Sequence, residues 1–442
     1  MHIWNKALEI SSQTPPERER YVDFLRALSI LMVVIGHWLI AGFEFTGETI
    51  ESTNLLKTSP GTQWLTWIFQ VMPIFFIVGG YANAVSLESA TKQGICYADW
   101  LTSRLKRLLF PLLALIGGWA IVALAMSAIQ VPTDIIQQIT KTALIPIWFL
   151  AIYIMVVALA PLTHHAFRKY GVNTIFALAA MAILTDAITL NTSFTWIGWT
   201  NYFWVWLTVH QLGYVWRSGQ FPSAPWLIVI SILGWIALSL LVSFGPYPIA
   251  MVGSPDPHMS NTLPPKVTLI ALAVAQFGLV LSIARPIKAW LANLKVWAVV
   301  VMINSMIMTI YLWHITILIL LVTCCWLLGG IGINMDPGSE IWWATRIIWV
   351  SVLFLILIPV ALLLAPIEQQ GSNSSRVPGV ARLVTGALLS CLGIALLAMY
   401  GMGQPALPHL DIASVAMVYI GAWLGGVFSI RRSIGIKNDE HI

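Results

Sequence analysis

Long apolar stretches recur from the N-terminus to the last dozen residues, parted by short segments that hold most of the charge. About twelve are evident, at approximately 24–43, 63–86, 108–129, 145–163, 173–190, 201–216, 225–244, 267–284, 297–323, 343–365, 380–400 and 411–430. A run of about 18 residues or more crosses a hydrocarbon layer of about 30 Å at 1.5 Å per residue. Backbone polar groups in lipid must be satisfied within the segment, so runs of this length read as helices rather than barrel strands. The pattern predicts an all-α, polytopic transmembrane helix bundle. The ninth stretch is long enough to be either one tilted helix or a helix with an irregular end.

Composition agrees, with 58% of the 442 residues hydrophobic and 9% charged, against roughly a quarter charged in soluble domains. The first 23 residues are polar and lack the apolar region of a signal peptide, so they read as a cytoplasmic N-terminal segment. Basic residues then gather in alternate loops, as the positive-inside rule requires. One set holds Lys92, Arg104, Lys106, Arg107, Arg168, Lys169, Arg217, Arg285, Lys288, Lys295, Arg376, Arg382 and the tail residues Arg431, Arg432 and Lys437. The other has only Lys57, Lys141, Lys266 and Arg346, beside Glu44, Glu48, Glu51, Asp256, Asp336 and Glu340. Both termini are expected in the cytoplasm, in a cytoplasmic-membrane protein. The formal charge of +5 is thus a topology signal and calls for no nucleic acid. Cys96, Cys324, Cys325 and Cys391 form no C-x-x-C pair, and support neither a disulfide framework nor a metal site.

No loop exceeds roughly 25 residues, too few for a soluble domain. Segments 44–62 and 245–266 are the longest on the side opposite the termini, and are placed to cover an opening there. The Ser- and Gly-rich stretch within 366–379 reads as a linker between a membrane domain at 24–365 and two further helices at 380–430, with 431–442 as a tail.

Ionisable residues inside a span are costly, and each is a functional candidate. They are Arg26, His37, Asp186, His210 and His314. Arg26 and His37 are eleven residues apart, about 1,100° of helical rotation and so within some 20° of one face, with about 16 Å between them along the axis. Arg26 is then a basic group at the inner rim and His37 a titratable one near mid-membrane. Packing alone also explains both: Arg26 as an anchor paired with Asp23 one turn earlier, His37 as an interhelical hydrogen-bonding residue. A neutral imidazole can accept a proton, so His37 suits a general base acting on a hydroxyl that attacks an activated acyl group. Proton-coupled transport fits the same geometry. Asp186 faces an acceptor cavity or pairs with a polar neighbour, and His314 orients another group or bonds a neighbouring helix. Gly79-Gly80-Tyr81, His210-Gln211 and Trp148 have packing or interfacial explanations, and Arg104 and Arg107 are either loop charge or a phosphate grip.

Tyr21-Val22-Asp23-Phe24-Leu25-Arg26 through Gly36-His37 resembles the opening pattern of the acyltransferase-3 type of membrane acyltransferases: an arginine, ten residues, then a histidine. Matches follow in order at Pro73 to Tyr81, Arg104/Arg107, Trp148-Phe149-Leu150 and Tyr311-Leu312-Trp313-His314. The resemblance implies a ten-helix core that moves an acyl group, commonly acetyl from acetyl-CoA, to a hydroxyl of a cell-envelope or exported glycan or small molecule. It implies His37 as catalytic histidine, Arg26 as the motif arginine, and Arg104 and Arg107 as donor-binding. Acyl-CoA is then a substrate, with no tightly bound cofactor. Two departures stand out. Gly79-Gly80 replaces the family's serine-glycine, and there is no hydrolase-like domain after the membrane part, a role that would fall to a separate partner protein.

Overall fold

Each apolar stretch carries a helix in the computed structural model, which describes residues 2–45, 50–253, 260–370, 377–404 and 411–428. The chain runs α1 (His2–Ser12), α2 (Arg20–Ile40), a hairpin of β1 (Ala41–Phe45) and β2 (Ile50–Asn54), then α3 (Leu55–Thr58) and α4 (Thr66–Phe69). It continues with α5 (Met72–Lys92), α6 (Tyr97–Ala128), α7 (Thr133–Ala143), α8 (Trp148–Tyr170), α9 (Asn173–Asn191), α10 (Asn201–Ser218) and α11 (Ala224–Phe244). The last part is α12 (Val267–Ser282), α13 (Ala284–Leu291), α14 (Leu294–Ser305), α15 (Ile307–Leu327), α16 (Glu340–Gln370), α17 (Val380–Tyr400) and α18 (Ile412–Leu424).

Among the described residues, nine helical segments are long and apolar enough to cross a membrane, or ten if α12 and α13, bent by 55°, count as one span. The helix α18 has 13 residues, and α10, carrying His210, Gln211 and Arg217, does not reach the apolarity of the others. The ninth stretch breaks between Ser305 and Ile307 into α14 and α15. Its irregular backbone is not left bare. Glu368 accepts the amides of Met308 (3.2 Å) and Thr309 (3.1 Å) and the Thr309 hydroxyl (2.9 Å), capping the new helix start.

Other expectations change. The polar N-terminal segment contains an amphipathic helix, α1, that packs on α14. The stretch 366–370, expected to be linker, continues α16; residues 371–376 and the basic tail 431–442 lie outside the described residues. At the end of the bundle remote from Arg26, residues from Asn54 to Gln70 are bonded to the second long segment. Asn54 Nδ2 donates to Gly253 O (3.1 Å), Trp67 Nε1 to Ile249 O (2.8 Å) and Gln70 Nε2 to Met251 O (2.9 Å).

The main core is a continuous apolar cluster that includes residues of α2, α5, α6, α8, α10, α12 and α15, with a second small cluster at Trp67, Leu238, Met251 and Leu272. Its closest approach is at Gly80 and Gly213, where the backbones of α5 and α10 touch with no room for a side chain. Gly79 faces α8 instead: a Cβ there would lie 2.9 Å from the Tyr153 ring. A serine at this position would have to displace that ring.

Candidate active site

His37 falls in the last turn of α2, farther along the helix than a mid-span position. There it meets α15. His37 Nδ1 lies 2.8 Å from His314 Nε2, with the two rings within 7° of parallel planes. On its other side His314 Nδ1 lies 2.6 Å from the Tyr311 carbonyl, and its own carbonyl accepts Trp38 Nε1 at 3.0 Å. This chain fixes the tautomers. A carbonyl can only accept, so His314 Nδ1 carries the proton; a neutral His314 then offers Nε2 as acceptor, and His37 Nδ1–H must donate to it. The lone pair of a neutral His37 is left on Nε2. His314 is fully buried and His37 is not, so the ring that can exchange a proton is the accessible one.

The later motifs support this pair. Tyr311 donates its hydroxyl to Pro146 O (2.7 Å) just before α8, and its ring packs edge-on to Phe149 (5.7 Å). Phe149 in turn meets Phe75 (4.9 Å), Phe76 (5.4 Å) and Tyr153 (5.5 Å). The aromatic contacts fix the height of α15 against α5 and α8, and with it the position of His314.

Tyr153 links this cluster to the charged end. Its phenol lies within electrostatic range of both Arg104 and Arg107, and these lie within range of Arg26, with Arg18 beside Arg107. Among the described residues, four guanidinium groups and two carboxylates lie within electrostatic range of one another here. Asp23 is shared by Arg18 (2.6 Å) and Arg26 (3.2 Å), and Glu368 is occupied by its capping bonds. Arg104 is held 5.7 Å over the Trp100 ring, and Arg107 is exposed. The surplus positive charge can hold a polyanion, with the free lone pair of His37 about 16 Å farther along the same helix face. Both readings of Arg26 therefore hold at once: it is paired with Asp23 and stands in the cationic cluster.

Four other candidates are occupied elsewhere. Asp186 is a junction: it accepts Asn201 Nδ2 (2.8 Å), Tyr247 OH (3.2 Å) and the Val267 amide at the start of α12 (2.9 Å), and pairs with Lys266 at 3.5 Å. Burial and this carboxylate raise the pKa of Tyr247, keeping it a donor. Removing the charge in Asp186→Asn would strand a buried Lys266, and about 3 kcal/mol of destabilisation is expected. Thermal unfolding in detergent should show it, with the KM of the surviving protein unchanged. His210 contacts Asn83 Nδ2 (3.1 Å) between α5 and α10. Tyr81 packs on Trp216 (4.9 Å) next to Arg217, which pairs with Glu88 (2.7 Å). Trp148 lies between Phe149 and Tyr202 at the start of α8.

Tyr153 and Glu368 are absent from the sequence candidates. Tyr153 stands five residues after Trp148, one turn beyond Phe149 on the same helix face, a spacing that could have found it. Glu368, inside the expected linker, gives no such signal. Among the described residues no group of three His, Cys, Asp or Glu side chains is placed to hold a metal ion.

A family model described as an acyltransferase domain, Acyl_transf_3, matches residues 19–365, from just before α2 into α16. No curated protein and no solved structure matches the chain. The match takes in His37, His314, Arg26, Arg104 and Arg107 and leaves α17 and α18 beyond it. The chain belongs to the acyltransferase-3 family, and it is a multi-pass membrane acyltransferase.

Proposed function

We propose that the protein is an acyl-CoA-dependent O-acyltransferase of the cytoplasmic membrane, moving an acyl group, acetyl in the simplest case, to a hydroxyl of a cell-envelope or exported glycan or small molecule. The supporting observation is the Tyr311–His314–His37 hydrogen-bond chain, which leaves His37 Nε2 as the proton acceptor. In this reading the acceptor hydroxyl gives its proton to His37 Nε2 while its oxygen attacks the thioester carbonyl. The tetrahedral intermediate expels the CoA thiolate, which takes the proton from His37 to leave as the thiol. An acyl-histidine route uses the same lone pair as nucleophile; a trapped acyl-protein, lost in His37→Ala, would favour it.

Arg26, Arg104 and Arg107 grip the donor phosphates in this scheme, and an extended phosphopantetheine arm covers the interval to His37. In this scheme the arginine end, with both termini, faces the cytoplasm, a reading that the basic bias of the loops supports. The two helices after the family match, α17 and α18, pack on α8 and α6 and read as an addition to a ten-helix core. The rival reading, proton-coupled transport through His37 and Asp186, needs Asp186 free to titrate, whereas its oxygens are engaged by four partners.

Purified protein in detergent, with no gradient to couple to, is expected to transfer radiolabelled acetyl from acetyl-CoA to a hydroxyl acceptor drawn from envelope glycans. Arg104→Gln and Arg107→Gln are each expected to raise KM for acetyl-CoA by roughly tenfold, the scale of one charge-assisted contact, with kcat changed less than threefold. Intact CoA binding without transfer, across the glycan and lipid pools of the cell, would overturn the proposal.

A further inference from the structure

Arg346 breaks two rules of this molecule. It lies in the second turn of α16, on the side of the bundle where basic residues are few, and it is 6% exposed with no carboxylate of the described residues against it. Its Nε donates to the Trp342 carbonyl one turn earlier (3.2 Å). The guanidinium sits 4.2 Å from the Trp342 ring centroid and 5.0 Å from that of Trp349. Two tryptophan faces hold the planar group by cation–π contact, and its terminal N–H groups, which point along the plane, have no hydrogen-bond partner among the described residues. A buried guanidinium with unused donors is a costly arrangement unless an anion completes it.

The surroundings say which anion. Arg346 stands between two spaces: a small one that it shares with Trp342, Trp349, Phe43 and Met335, and a groove of about 280 Å3 between α2 and α16 whose other walls are Ile35, Leu39, Ile347, Val350 and Ser351. Ser351 donates to Ile347 O (2.7 Å) within its own helix, so the groove offers hydrocarbon and a single cation. It opens beside Ile347, Ile348 and Leu355, apolar side chains 79%, 66% and 72% exposed. A free hydrated anion would give up its water there for apolar walls. An amphiphile would not, because its chain covers those walls while its head meets the arginine.

We propose that this groove binds a membrane phospholipid with an anionic head, the phosphate on the terminal N–H groups of Arg346 and an acyl chain along Ile35, Leu39, Ile347 and Val350. Ile35 and Leu39 each stand two residues from His37, about 200° around α2, so the bound lipid backs the helix on the face away from the reacting ring. It takes no part in the chemistry. It braces the last turn of α2, whatever reaction His37 performs.

The test uses the full chain, purified in a neutral detergent and stripped of lipid, titrated with phosphatidylglycerol, with diacylglycerol as chain without phosphate, and with inorganic phosphate as head without chain. Bound lipid is counted by native mass spectrometry and the unfolding midpoint followed in parallel. Phosphatidylglycerol is expected to bind roughly tenfold tighter than diacylglycerol, and phosphate to leave the midpoint unmoved. Arg346→Gln should erase the preference, Arg346→Lys keep part of it, and Val350→Trp, which fills the groove and leaves the cation, block both lipids. A preference that survives Arg346→Gln and Val350→Trp overturns the proposal. Stabilisation by inorganic phosphate equal to that by phosphatidylglycerol would do so too, since the site would then be one for free anions. If Arg346→Gln does not fold, Val350→Trp and the wild-type titrations decide alone.

Discussion

Substituting His37 by alanine is expected to lower kcat by about 10²–10⁴-fold, the usual worth of a general acid–base group, with acyl-CoA affinity within about twofold of wild type. In the proposed scheme the two effects separate because the ring assigned to the proton and the arginines assigned to the donor, Arg26 of α2 with Arg104 and Arg107 of α6, lie about 16 Å apart along α2. Imidazole added to the assay should recover part of the loss, since the space and the acceptor, His314 Nε2, are both still present. His314→Leu keeps the volume and removes the acceptor, so His37 Nδ1–H loses its partner and the ring its orientation. A fall of roughly 10–100-fold is expected, the range typical of groups that orient a functional side chain. His314→Gln should recover much of that fall, because an amide oxygen can accept the same proton. Steady-state transfer by purified variants, each checked for an unchanged unfolding midpoint, gives the answer. A His37→Ala protein as active as wild type would remove the catalytic assignment. A His314→Leu protein as active as wild type would leave His37 catalytic but reduce the relay to packing.

How far the sequence foretold this site depends on the range of the interaction. Apolar runs fix helices locally, through satisfaction of the backbone in lipid, and every expected stretch is helical. The common face of Arg26 and His37 is equally local, a matter of 3.6 residues per turn on α2. The contact of His37 with His314 spans 277 residues, and periodicity carries no information on which helix lies opposite which. The tautomers depend on that contact and so cannot be read from the sequence, although both histidines stand out in it. Local competition explains the other differences. The break at Ser305–Ile307 sits inside an unbroken apolar run, and Glu368, 59 residues on, supplies the capping bonds. Asp186 reads in sequence as an isolated acid inside a span; its partners Tyr247, Lys266 and Val267 come from a distant loop and helix start. Arg346 reads as an exception to the charge bias, and only the fold places it between two tryptophans beside an apolar groove.

Gly80→Ala and Gly213→Ala should each be among the most damaging single-methyl changes in the protein, costing about 3 kcal/mol or more. A Cβ on Gly80 would run into the His210 carbonyl oxygen, and one on Gly213 would run into the Ile77 carbonyl oxygen and lie only 2.7 Å from the Gly80 Cα. These are backbone atoms of packed helices, so no rotamer change relieves the clash, and α5 and α10 must move apart. The same substitution elsewhere has the opposite sign. Gly118, inside α6, has only Trp313 near its Cβ position, at 3.7 Å, so Gly118→Ala adds a helix-favouring residue in ordinary contact and should stabilise by up to about 1 kcal/mol. The loss at Gly80 also reaches the active site. Phe75 and Phe76 of α5 pack on Phe149, which packs on Tyr311, the residue whose carbonyl fixes the His314 tautomer. Separation of α5 from α10 loosens that cluster, so the Gly80→Ala protein that remains folded should show a lowered kcat with little change in KM. Unfolding midpoints in detergent for the three variants, read beside their transfer rates, check both claims. A Gly80→Ala midpoint equal to wild type would mean that the two backbones are not in contact, and the packing account of His314 would lose its foundation.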